Sequence, residues 1–143
     1  MPPARLHWPA LIVASIASFC FEAVWFTVFQ KQWLAGIGRT GEWLMSHPGV
    51  SPPVQFSTAL LCSLIAAIVL SLLTQWTGPQ TAKRGILLGI IVWVGFVATS
   101  WAKAYIFEVR TLEIYAINTI YMLLDLMLIG AIAGAWKATP HPL

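Results

Sequence analysis

Two of the chain's five carboxylates fall inside long apolar runs, Glu22 in SFCFEAVWFTVF and Asp125 in YMLLDLMLIGA. An ionised carboxylate is costly in an apolar medium, so each must find a partner, reach water, hold a proton or do chemistry. The chemistry open to such a pair is reversible binding of protons or small cations. Helical spacing supplies companions: Ser15, Ser18, Glu22 and Trp25 fall at i, i+3, i+7 and i+10, and Asn118, Tyr121 and Asp125 at i, i+3 and i+7, one polar stripe on each helix. Gly85, Gly89, Phe96, Ser100 and Lys103 share a third stripe. If the glycines make its contact face, Lys103 turns inward at the depth of Glu22 and the two pair; otherwise its long stem carries the ammonium to the interface. Asp125 is short and near the middle of its helix, with no such escape. It is therefore protonated, hydrogen-bonded to Asn118 or Tyr121, or facing a wet cavity.

Other chemistries have little support. His7, His47 and His141 lie in terminal or loop positions without metal-ligand spacing, and no serine or cysteine has a base nearby in sequence. The reading is therefore of a protein that is not an enzyme, with no catalytic residues, metal or cofactor. Cys20 and Cys62 fall in apolar runs and read as buried free thiols, at depths that leave a close contact open. No basic run interleaved with aromatics points to nucleic acid.

The elements that must position these residues follow from composition. Of 143 residues, 59% are hydrophobic and 9% charged, against about 25% charged in a soluble domain. The hydrophobic mass falls into four blocks, Trp8 to Phe29, Val54 to Trp76, Arg84 to Phe107 and Ile114 to Trp136, each close to the roughly 20 residues that cross hydrocarbon. Trp8, Trp33, Trp76, Trp101 and Trp136 recur near their ends, where indoles anchor at headgroups. The first block is too long for a signal-peptide core and reads as a retained helix. The fold class is all-α: a polytopic membrane protein, one domain over residues 1–143, with an antiparallel bundle of four transmembrane helices.

The connection QKQWLAGIGRTGEWLMSHPGVSPPV mixes tryptophans with glycines and charges and reads as interfacial. The other two connections are short, which makes consecutive helices antiparallel neighbours. Arg5, Lys83, Arg84 and Lys137 fall on one side and Lys31, Arg39, Lys103 and Arg110 on the other, a tie under the positive-inside rule. The adjacent Lys83 and Arg84 tip the reading towards cytoplasmic termini in the cell (inner) membrane.

GILLG at Gly85 to Gly89 and GAIAG at Gly130 to Gly134 are GxxxG patterns, which let backbones approach closely in lipid. The second lies on a different face from Asn118 and Asp125. That helix can then meet two neighbours or a second subunit, so self-association or other membrane subunits are expected beside the bilayer itself.

The chain resembles domain-of-unknown-function family 1761, small bacterial membrane proteins, over nearly its whole length. The residues that carry the resemblance are Trp25, Phe26, Phe29, Lys31 and Trp33, then Gly95, Phe96 and Thr99, then Asn118, Tyr121, Gly130 and Gly134. Family members often carry a histidine after the last helix's tyrosine; this chain has Met122 there. The resemblance implies four helices and no established activity.

Two functions compete. The first is a noncatalytic accessory or assembly subunit within a larger membrane complex, favoured by the scarcity of reactive groups. The second is a small proton- or cation-coupled transporter or channel, with Glu22 and Asp125 as binding carboxylates and Ser18, Asn118 and Tyr121 as polar lining.

Overall fold

A computed structural model describes residues 5–47 and 49–136. Lys137 and His141, named above, lie outside them, as does Pro48 of the first connection. The described residues form six helices: α1 Trp8–Val28, α2 Gln30–Ile37, α3 Gly41–Ser46, α4 Pro52–Trp76, α5 Ala82–Phe107 and α6 Leu112–Ala135. By length and apolar character α1, α4, α5 and α6 are each able to cross a membrane.

Three of the four begin slightly before the apolar blocks do, because capping chemistry sets the start. The Thr81 hydroxyl accepts from the Arg84 amide and Thr111 from the Ile114 amide, satisfying donors that a helix N-terminus leaves free. Pro52 and Pro53 open α4, where the missing proline N–H costs nothing. The long first connection folds into α2 and α3. Gly38 ends α2 at φ 66°, a left-handed turn that glycine adopts without strain.

Packing is densest between α5 and α6. A Cβ added to Gly85 would fall on the Gly130 carbonyl and one on Gly134 would fall on the Thr81 carbonyl, while one on Gly89 would lie 2.6 Å from the Leu126 carbonyl oxygen. The two GxxxG patterns thus meet each other within the chain, and residue numbers rise on one helix as they fall on its neighbour. These glycines are engaged internally, which removes them as the free face for a second subunit that the sequence suggested. Helix α1 packs against α4 and α6. Leu11, Ala14, Ala67, Leu70 and Ile129 are its buried meeting point, each at most 1% exposed.

Helix α5 departs from regularity. From Trp93 to Ala98 it is a π-helix, in which hydrogen bonds span five residues and the turn holds an extra one. One extra residue rotates everything beyond it by roughly 100° relative to an uninterrupted α-helix. Gly85 and Gly89 are buried, yet Phe96, Ser100 and Lys103 are exposed. The stripe predicted to carry Lys103 into the bundle is broken at this stretch. Both ends of the π-helix are tied to α6: the Trp93 indole donates to the Thr119 carbonyl at 2.6 Å, and the Tyr115 hydroxyl to the Ala98 carbonyl at 3.0 Å.

Candidate functional site

Regular helical geometry in α1 and α6 brings their polar stripes face to face. The Trp25 indole donates to the Ile117 carbonyl at 3.1 Å, and the Phe21 and Tyr121 rings stack at 5.8 Å. Phe26 meets the same tyrosine ring at 5.2 Å. Held this way, Tyr121 lines the same cleft as Glu22. One turn further along α6, Asp125 lies beside the Ser18 hydroxyl, and the Ser18 and Ser63 hydroxyls are 2.9 Å apart. Either hydroxyl of that serine pair can be the donor.

Glu22 and Asp125 border one cleft of about 380 Å³, to which all four long helices contribute: Ser63 and Cys62 from α4, Val97 from the π-helix of α5, and Tyr121 from α6. Asp125 Oδ1 is buried and has no hydrogen-bond partner among the described residues. Buried polar atoms are nearly always paired, so this oxygen has the chemistry to take a proton, a water or a cation. Glu22 also borders a cleft of about 630 Å³ under α2 and α3 and one of about 280 Å³ towards Phe56. It is the shared wall of three openings.

The other residues singled out from sequence are placed elsewhere. Asn118 donates to the Tyr105 hydroxyl at 2.5 Å, so its amide serves the α5–α6 contact and not Asp125. Ser100 and Lys103 are exposed on the outer side of α5, and the pairing of Glu22 with Lys103 is not formed. The ion pair present among the described residues joins Arg110 to Glu108 at 2.5 Å. Cys20 and Cys62 are free, as expected, but exposed rather than buried: α4 turns Cys62 towards the cleft, and α1 turns Cys20 outward.

Sequence reasoning missed Ser63 and Tyr105. Ser63 belongs to a buried stripe of α4, Ser63, Ala67, Leu70, Ser71 and Thr74, whose small-residue period was there to be read. Tyr105 is buried only because the π-helix resets its face, and no spacing rule predicts that. Among the described residues no group of three or more His, Cys, Asp or Glu is placed to hold a metal ion.

Four long apolar helices, with Glu22 and Asp125 bordering one cleft among them, define a small multi-pass membrane protein. Residues 9–134 match the family model described as "Protein of unknown function (DUF1761)", and the chain belongs to that family. No curated protein and no solved structure matches it.

Proposed function

We propose that the chain is a small transporter or channel of the cell's inner membrane, in which Glu22 and Asp125 bind and release protons or small cations. The carrying observation is the meeting of both acids at one cleft, with Asp125 Oδ1 buried and unpaired. Two carboxylates bordering one cleft between apolar helices favour an occupant of positive charge, and the binding and release of a proton or small cation there is the elementary step. Tyr121 and Ser63 supply hydroxyls to the same cleft as the two acids. In this reading the four helices cross antiparallel, α2 and α3 lie at the headgroups, and both termini are cytoplasmic.

The test is proton-linked flux in proteoliposomes. Glu22→Gln and Asp125→Asn should each reconstitute as well as the parent and lose flux tenfold or more. Undiminished flux in both variants contradicts the mechanism.

A second reading, an accessory or assembly subunit of a larger complex, draws on the outer side of α5. Gly95, Thr99, Ser100 and Lys103 are exposed there on the least buried of the four long helices. Thr99 satisfies itself on the Gly95 carbonyl at 2.8 Å, whereas hydroxyl and ammonium groups facing lipid favour a protein neighbour. Purification in mild detergent followed by mass spectrometry should then recover a stable larger partner. A lone monomer or dimer removes this reading.

A further inference from the structure

The largest of the three clefts that Glu22 borders, about 630 Å³, lies between the second half of α1 and the short helices α2 and α3. Its volume is that of a small-molecule site. Its walls are Phe26, Trp33, Leu34, Leu44 and Met45, with Phe26 and Trp33 set edge to face at 5.7 Å between centroids. Among its lining residues Glu22 alone is ionisable, and no cation lines it. The nearest basic groups in sequence are directed elsewhere: Arg39 lies over the outer Trp43 ring at 3.9 Å, and Lys31 is exposed. Thr27, on the same wall, spends its hydroxyl on the Ala23 carbonyl at 2.7 Å.

An anionic group on an aromatic and thioether-lined wall selects a ligand with a delocalised positive charge and a broad apolar body. The charge is stabilised by the carboxylate and by the ring faces. The body gains contact with side chains, and Met45 adapts to its shape. A hydrated inorganic cation gains nothing from such walls, and an anion is repelled by the one charge present. We propose that this cleft binds lipophilic organic cations, with Glu22 as the counter-ion and Phe26 and Trp33 as the aromatic walls. The inference rests on the reading of Glu22 and Asp125 as an exchanging site and adds its substrate class. Because Glu22 also borders the Asp125 cleft, a cation seated on it and a proton held by the pair compete for one carboxylate.

The probe is tetraphenylphosphonium, with binding to the purified full-length protein in detergent measured by calorimetry. The expected result is saturable binding that weakens at least tenfold in Glu22→Gln, several-fold in Trp33→Leu, and progressively as the pH is lowered. Trp33→Leu leaves both carboxylates in place, so it reports on the wall even if Glu22→Gln fails to fold. Neutral triphenylphosphine oxide should not compete. Absence of saturable binding overturns the proposal, as does binding unaffected by Glu22→Gln and displaced equally by the neutral compound, which is the behaviour of a groove for lipid tails. Loss of tetraphenylphosphonium binding together with retained, Asp125-dependent proton flux refutes the organic-cation assignment and leaves the exchanging pair standing. Absence of both removes the pair as well.

Discussion

The two ends of the bundle are built on opposite principles. At the end near the first residues of α1 and the last of α6, Leu11, Ala14, Ala67, Leu70 and Ile129 are almost wholly buried, and glycines bring α5 and α6 into backbone contact. No ionisable side chain belongs to that core. Towards the first connection, aromatic rings and two carboxylates replace the aliphatic packing, and three clefts converge on Glu22. In lipid, apolar side chains gain little by leaving one apolar medium for another, so close packing holds the first end together. The second end gives up packing for polar groups, which we propose exchange protons or cations with their surroundings. The contrast fits a molecule sealed at one end and open at the other.

Substitutions sharpen or break this contrast. The largest effect is expected at Gly85→Ala, where the new methyl meets the Gly130 backbone and no flexible side chain can give way. Overpacking of that kind costs about 3 kcal/mol, and thermal unfolding in detergent should show it. Gly95→Ala, with open space at its Cβ position, is the matched control and should be neutral or slightly stabilising. Next comes Ile129→Ala: hydrophobic transfer largely drops out in lipid, leaving a cavity loss of about 2 kcal/mol. Asn118→Ala removes the hydrogen bond to Tyr105 and should cost about 0.6 kcal/mol, with proton flux unchanged because the amide lies outside the acidic site. Smallest is Met45→Ala, at a residue 85% exposed, which should stay within about 0.5 kcal/mol of the parent. A Met45 effect as large as that of Gly85 would erase the distinction between the two ends.

Much of this architecture is legible in the chain itself. Span lengths are dictated by bilayer thickness, and the cap residues Thr81 and Thr111 explain why helices start just ahead of the apolar blocks. The stripes on α1 and α6 are readable because both helices are regular, whereas the shared cleft of Glu22, Tyr121 and Asp125 depends on how the two helices meet. On α5 the same reasoning fails beyond Gly89. The π-helix at Trp93–Ala98 is stabilised by bonds to α6 that depend on how the two helices meet, and it turns Ser100 and Lys103 outward. The partners of the GxxxG glycines were equally hidden. Spacing shows that a helix has a close-contact face, whereas which neighbour occupies it is decided by three-dimensional packing.

The central claim, that Glu22 and Asp125 exchange a proton within the membrane, is tested most directly by infrared difference spectroscopy of the reconstituted protein across a pH step. The account predicts a protonated-carboxyl stretching band that changes with pH in the parent, is altered in Glu22→Gln or Asp125→Asn, and disappears when both substitutions are combined. A spectrum without any pH-dependent band removed by those substitutions would show both acids locked in one state and would contradict it.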